Sequence, residues 1–312
     1  MKPHIAVVGS INMDLVFRTP RIPAAGETLT GHSFHQIQGG KGANQAVAAA
    51  RMGAELSFVA CVGDDGFGTS SLRALEQDGI ATNTIRQVTQ CATGVAGILL
   101  DDAGQNRIVL APGANAQLNK VDIDAAIHTL TQAQLLVCQL ESPLDTVLYA
   151  IDCAKNAGLA VLLNPAPAQA LEDKVLAQVD YLVLNETEAS FLSGQTVTDG
   201  ASAQSAAEVL QQRGANVVVI TMGALGVLVA EKGNASLAYL LPAYAVNVVD
   251  TTGAGDTFVG ALAVAIAEAQ ELRAASMFAQ SAAALAVTQL GAQTSIPHRK
   301  AVEALRNSVI TL

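Results

Sequence analysis

Apolar residues along this chain gather in short runs that end in glycine or polar turns. Ile5-Ala6-Val7-Val8-Gly9 is the first, and residues 59–62, 135–140, 159–163, 181–184 and 217–221 repeat it. Runs this short, apolar at successive positions, predict strands buried on both faces. Between them lie segments of helical length, for example residues 43–52, 143–157 and 202–213. Strands alternating with helices imply βαβ units. The expected fold class is α/β: three layers, α/β/α, around a mostly parallel central sheet. Two helix starts carry cap signals. Ser142-Pro143-Leu144-Asp145 reads as an N-cap serine, an N1 proline and an acidic N3 residue, and Asn185 precedes Glu188 at capping-box spacing.

Two stretches break the alternation. Residues 15–34 carry Pro20, Pro23, Gly26 and Gly31 among short alternating pieces, and residues 93–111 read as a hairpin around Asp101-Asp102-Ala103-Gly104. Both predict antiparallel strands standing off the main sheet, at about 14–37 and 93–111. In an enzyme they would form a lid; a decorated sheet edge gives the same pattern. From Ala254 onward the chain is alanine-rich and helical in pattern through residues 254–267, 276–287 and 300–309. With no internal repeat, linker or low-complexity segment, residues 1–312 read as a single domain with a small excursion.

Of 312 residues, 51% are apolar and 14% charged, which excludes disorder, and 26 glycines exclude collagen. The longest apolar runs, such as 261–267, fall short of the roughly 18–20 residues a bilayer span needs. The start Met1-Lys2-Pro3-His4 is not a signal peptide, so a soluble, cytoplasmic protein is expected. The formal charge of −10 disfavours nucleic acid and anionic membranes as partners. A polyanion such as ATP would therefore have to be neutralised by backbone N–H groups and a metal ion. Cys61, Cys91, Cys138 and Cys153 form no C-x-x-C pair and read as small buried hydrophobes in a reducing compartment. No H-x-x-x-H pair signals zinc.

The sharpest chemical signal is Val248-Val249-Asp250-Thr251-Thr252-Gly253-Ala254-Gly255-Asp256-Thr257-Phe258. It reads as an apolar strand running into a Gly-x-Gly turn that opens a long helix, a natural anion site. Asp256 falls in the first turn of that helix. A carboxylate there is either a helix stabiliser or a base beside a bound phosphate. Phe258 occupies the third-glycine position of a dinucleotide fingerprint, and no G-x-x-x-x-G-K-[ST] loop occurs. An anion hole with an adjacent carboxylate fits phosphoryl transfer onto a hydroxyl. A second glycine-rich turn, Gly39-Gly40-Lys41-Gly42-Ala43-Asn44-Gln45, lets backbone approach a ligand closely. Asn12, Asp14, Glu141 and Asn185 fall beyond the carboxyl ends of strands, where open parallel sheets bind ligands, although each also suits a cap or turn.

Together with Gly9-Ser10-Ile11-Asn12-Met13-Asp14, Leu163-Asn164-Pro165-Ala166-Pro167-Ala168 and Asn185-Glu186-Thr187-Glu188, these motifs resemble the ribokinase-like carbohydrate kinases across essentially the whole chain. Gln139-Leu140-Glu141-Ser142 and Gly291-Ala292-Gln293 extend the match to the members of that family that phosphorylate ribose. The resemblance implies Asp256 as base and Gly253, Ala254 and Gly255 as anion hole. It implies Asn12, Asp14, Gly40, Lys41, Gly42, Asn44 and Glu141 around the sugar. Asn185, Thr221, Gly223, Gly226, Gly255 and Gln280 would line the ATP site, with Glu188 placing Mg²⁺ through water. Asp250, Thr252, Ala286, Gln289, Gly291 and Ser295 match a K⁺ site. Gln280 stands where the family usually has Asn or His against adenine, and Thr294 replaces a frequent Pro beside Ser295.

The expected activity is ATP-dependent phosphorylation of the 5-hydroxyl of a pentose, D-ribose first, in a homodimer clasped through its lids. The alternatives are the same chemistry on 2-deoxyribose, another pentose or a nucleoside, and a non-catalytic sugar-binding regulator. A dinucleotide oxidoreductase is disfavoured by the missing third glycine and the late position of the loop.

Overall fold

The structure is a computed structural model that describes residues 2–233 and 238–310. Strand β1 (His4–Val8) opens the main sheet, and the chain leaves it at once for β2 (Asn12–Thr19) and β3 (Ser33–Gly39). Helix α1 (Lys41–Arg51) returns it to β4 (Glu55–Gly63), followed by α2 (Gly66–Gln77) and β5 (Ile85–Val88). A second excursion builds β6 (Gly94–Asp101) and β7 (Asn106–Ala111). From α3 (Lys120–Leu130) the alternation is regular: β8 (Leu135–Cys138), α4 (Leu144–Asn156), β9 (Ala160–Leu163), α5 (Asp173–Leu176), β10 (Tyr181–Asn185) and α6 (Glu186–Ser193). Then come α7 (Gly200–Gln212), β11 (Val217–Thr221), β12 (Val227–Glu231), β13 (Tyr239–Leu241), α8 (Ala254–Ala267), α9 (Leu272–Ala286) and α10 (Arg299–Ile310).

The nine-stranded sheet has the order β13-β12-β11-β10-β9-β8-β1-β4-β5 and is parallel except at the β12–β13 edge. Alternate residues along its strands feed two cores, as a period of two requires. Ala6 and Val8 of β1 join the helices α3, α4, α6 and α7 on one face. Ile5 and Val7 join α1, α8 and α9 on the other. This is the expected three-layer arrangement. No helix among the described residues is long and apolar enough to cross a membrane.

The excursions pair with each other as a separate sheet, β3-β2-β6-β7. The hairpin pairs β2–β3 and β6–β7 are antiparallel as expected, but β2 and β6 run parallel, because each leaves the main sheet in the same direction. Asn12 and Asp14 accordingly belong to this small sheet rather than to a turn after β1.

Three local expectations are corrected. Pro143, with ψ 126°, stays outside α4 as its N-cap, so Ser142 stands one residue too early to cap and its buried hydroxyl has no protein partner. Helix α7 starts at Gly200, before the expected 202, because Asp199 caps it in a box with Ser202. Residues 248–250 form no strand. The amides of Val249 and Asp250 donate to the Val287 carbonyl at the end of α9, and Val248 and Val249 are more than 60% exposed. The Asn185–Glu188 capping box forms as expected.

Candidate active site

The sheet reverses its winding between β1 and β8, where an open α/β sheet presents a crevice at its carboxyl ends. Ser10, just beyond β1, donates to Glu141 Oε2 at 2.5 Å, just beyond β8. The same oxygen accepts the Lys41 amide at 3.0 Å, which ties the start of α1 to this crevice. Gly40 precedes that helix with φ +90°, and a Cβ on it would stand 2.6 Å from the Asn12 nitrogen, so only glycine suits the position. Asn12 is held by Asn115, whose amide nitrogen donates to Asn12 Oδ1 at 2.7 Å while also gripping the Ile11 backbone.

Helix α8 brings in Asp256. Gly253 caps it in the left-handed region, φ +74°, and the Ala254 amide is used in the turn, donating to Thr251 O at 3.2 Å. An anion at this helix end must share that amide or displace the turn bond. A Cβ on Gly255 would meet nothing within 4 Å, so no packing contact demands glycine there and the space above it is open to a ligand. Asp256 is buried and accepts two side-chain hydrogen bonds from α1. Asn44 Nδ2 donates to Oδ2 and Gln45 Nε2 to Oδ1, each at 2.9 Å. The close approach that allows this comes from Gly260, one turn further on, whose missing side chain admits Ala48 and the Gln45 carbonyl of α1.

Two adjoining cavities share Thr221, Thr251 and Gly255. The larger, about 550 Å³, is mainly apolar, walled by Gly223, Gly226, Val227, Tyr244, Phe258 and Gln280 among others. Gln280 donates to the Pro242 carbonyl at 2.9 Å, which turns its amide nitrogen toward that backbone. The smaller, about 210 Å³, is polar and includes Lys41, Asn164, Asn185, Glu188, Gly253 and Asp256. Lys41, grouped with the sugar by sequence, thus shares a cavity with Asn185 and Glu188, and Asn185 lies in the polar chamber rather than the apolar one.

Charge in this crevice is crowded. Burial, then the neighbouring Glu141 and Asp256 carboxylates, push the Asp14 carboxyl up to about 7, against the pull of Lys41. Burial alone would push the Lys41 ammonium down. The surrounding Asp256, Glu141, Glu188 and Asp14 outweigh it and raise its pKa, so the side chain stays cationic. Burial also lifts Glu188, against the hydrogen bond from the Asn185 amide and the charge of Lys41.

Beside the α8 cap, the loop carrying Asp250 is tied to residue 291. Asp250 accepts from Thr252 N at 2.9 Å, Thr252 Oγ1 at 2.7 Å and Gly291 N at 2.8 Å. Burial works against these bonds, but together they hold its carboxyl below the usual range. Gln289 donates its amide to Ala286 O, and Ser295 Oγ donates to Ala292 O at 2.8 Å. A carboxylate set among hydroxyl and carbonyl oxygens suits a hard cation rather than a thiophilic metal. Sequence reasoning missed Ser10, Gln45, Asn115, Gln139 and Asn164 as site-shaping groups. The first, second and last two stood inside quoted motifs, whereas Asn115 carried no signal.

Residues 2–299 match the family model described as pfkB family carbohydrate kinase. A ribokinase from Haemophilus influenzae is 44% identical over 300 residues, covering 96% of this chain and 97% of that protein. A deoxyribokinase from Salmonella typhi is 40% identical over 294 residues, covering 94% and 95% respectively. Among solved structures, Arabidopsis thaliana ribokinase complexed with ribose and ATP superposes with a TM-score of 0.91 at 32% identity, covering 98% of this chain and 99% of that one. With a match this complete, on a fold whose crevice carries a buried carboxylate at a glycine-capped helix, the chain belongs to the pfkB family of carbohydrate kinases.

Proposed function

We propose that this protein transfers the γ-phosphoryl group of ATP to the 5-hydroxyl of D-ribose, forming ribose 5-phosphate and ADP. The observation that carries the reading is Asp256: a buried carboxylate at the N-terminus of α8, opening onto a polar cavity that continues into an apolar one large enough for a nucleobase. The apolar chamber takes adenine, and the phosphates run toward Gly253–Gly255 and Lys41. Asn12, Asp14, Gly40, Gly42, Asn44 and Glu141 surround the sugar. Asn44 Oδ1 is buried without a protein partner, which costs about 1–3 kcal/mol and is relieved by a sugar hydroxyl.

In the reaction the ribose O5 forms a bond to the γ-phosphorus as the bond from that phosphorus to the bridging oxygen breaks. The hydroxyl proton passes to Asp256, and ADP leaves. The transition state is loose, so the protein's share is chiefly positioning and charge stabilisation. Lys41 supplies a fixed positive charge, and the α8 amides face the developing charge.

Oxygen donors at Glu188 suit Mg²⁺ held through water, and that ion would supply neutralisation of phosphate charge. The Asp250, Thr252, Ala286, Gln289, Gly291 and Ser295 set suits K⁺, which would stiffen the loop before α8. The small sheet acts as a lid over the sugar, and exposed Phe17, Phe34, Ile108, Val109 and Leu110 on it suit a homodimer in which two lids clasp. Four unpaired cysteines suit a reducing cytoplasm.

The deoxyribokinase relative supports 2-deoxyribose as a second acceptor. A coupled assay of ADP release with ribose, 2-deoxyribose, fructose and adenosine, with and without K⁺ at fixed Mg²⁺, tests the reading. Turnover highest on ribose and raised by K⁺ supports it. Preference for 2-deoxyribose moves the assignment to the second acceptor, and no turnover on any acceptor overturns the kinase reading.

A further inference from the structure

We infer that Gln45 is a positioning residue that makes the two oxygens of Asp256 inequivalent, locking Oδ1 and leaving Oδ2 to take the hydroxyl proton. The inference rests on the kinase reading above. It starts from a main-chain carbonyl. Asn164 Nδ2 donates to Val183 O of β10 at 2.9 Å, and because that carbonyl can only accept, the oxygen of the Asn164 amide is turned the other way. That oxygen in turn accepts from Gln45 Nε2 at 3.0 Å, so Gln45 must present its nitrogen. The second hydrogen on the same nitrogen reaches Asp256 Oδ1 at 2.9 Å. Gln45 Oε1 is gripped from the far side by Gln139 Nε2 at 2.6 Å.

Each amide orientation is therefore dictated by the one before it, from the sheet to the carboxylate. The middle of the chain is buried, with Gln45 and Gln139 at most 1% exposed, while Asn164, 8% exposed, borders the polar cavity. Burial keeps such hydrogen bonds strong and slow to rearrange. Asp256 Oδ2 has a different neighbour: Asn44, a candidate sugar ligand whose own Oδ1 is unpartnered. When the sugar arrives, Asn44 can turn its donor to a hydroxyl, and Oδ2 then faces the O5–H. As the O5–phosphorus bond forms, the proton moves to Oδ2 while Oδ1 keeps its hydrogen bond from Gln45. Gln139 sits behind Gln45, and Gly9 makes room for it, since a Cβ on Gly9 would overlap Gln139 Oε1.

The test uses the intact protein and two variants. Gln45→Leu removes the hydrogen bond at nearly constant size; a misplaced base predicts kcat reduced about 10–100-fold with both KM values within about threefold. Gln45→Glu keeps length and polarity but sets a second carboxyl beside Oδ1. It predicts that the acid limb of the kcat–pH profile moves up by about one unit, an effect that simple loosening of the fold does not give. Both outcomes together support the inference. A Gln45→Leu enzyme with kcat within twofold of the parent overturns it, as does a loss in KM equal to the loss in kcat, or an unmoved acid limb in Gln45→Glu. Should Gln45→Leu not fold, the Gln45→Glu profile decides. A wild-type protein inactive on every acceptor overturns the kinase reading and this inference with it, whereas an active wild type with unaffected variants overturns this inference alone.

Discussion

Gly260 on α8 and Ala48 on α1 are packed so closely that a Cβ added to the glycine would stand 2.5 Å from the alanine Cβ and 2.6 Å from the Gln45 carbonyl oxygen. One helical turn before Gly260 is Asp256, and one turn before Ala48 is Asn44. The contact thus sets the distance at which the α1 amides meet the α8 carboxylate.

Gly260→Ala is expected to force the helices apart. Overpacking of this kind costs about 1–3 kcal/mol, read as a lower midpoint in urea unfolding. Turnover should fall further than the loss of folded protein explains, because a shift of a few tenths of an ångström lengthens both bonds to Asp256. An unfolding midpoint and a kcat both equal to the parent's would contradict the spacing role.

Asp256→Asn keeps the size of the side chain and removes the proposed proton acceptor. The expected result is a loss of kcat of about 10²–10⁴-fold with ribose binding kept within a few-fold, read by steady-state assay and by calorimetric titration of the sugar. The variant also offers an amide nitrogen where Asn44 and Gln45 both donate. One of those two side chains must then flip, so a modest loss of stability accompanies it. Turnover preserved within tenfold would remove Asp256 from the reaction.

How much of this was legible in the sequence follows from what each residue depends on. Strands β1, β8, β10 and β11 were readable because both faces are buried and the apolar run is itself the signal. Asn185 and Glu188 were readable because a capping box is local. Residues 248–250 misled because an apolar stretch with no strand beside it carries the same letters as a strand. The amides of Val249 and Asp250 go instead to Val287, nearly forty residues away in the chain. Asp256 stood out by its place beside a glycine turn. Gln45 did not, because its meaning lies in Asn164 and Gln139, which approach from two other strand ends. Pairings of that range leave no periodicity to detect.

Asp14 gives the site a pH dependence with a definite sign. Its carboxyl titrates near 4 when unfolded and is pushed up to about 7 by burial and by its acidic neighbours in the folded protein. The folded state therefore holds a proton that the unfolded state has released across that window. The stability from this group is fully present below about 4 and is lost as pH rises through about 7. Sugar hydroxyls donating to the ionised carboxylate favour the charged form, so binding near pH 6.5 should release a proton. Calorimetry of ribose binding in two buffers of different ionisation enthalpy should show a buffer-dependent heat, and affinity should rise from about pH 6 to 8. Asp14→Asn should abolish the buffer dependence. A parent protein whose heat is the same in both buffers would show that Asp14 does not change its protonation on binding.

The small sheet supplies the last expectation. β7 is exposed at all six positions; Ile108 and Leu110 lie on one face of the small sheet, while Val109 and the Phe17–Phe34 pair, ring centroids 4.8 Å apart, lie on the other. An apolar sheet with an open edge strand is an aggregation hazard unless something covers it, and a second copy of the same surface is self-complementary through a two-fold axis. Ile108 and Leu110 are two apart on β7 and so share a face. Their partners Ile98 and Ala96 on β6 align in register with Val16 and Asp14 on β2, which continues that face inward to the Asp14 carboxylate. Light scattering at micromolar concentration should give a dimer for the parent protein and a monomer for the double variant Ile108→Lys, Leu110→Lys. The monomer should also bind ribose more weakly, because the face that clasps the partner is the one that carries Asp14. A parent protein that is monomeric at that concentration would leave the apolar sheet to some other cover and remove the clasp from the proposed enzyme.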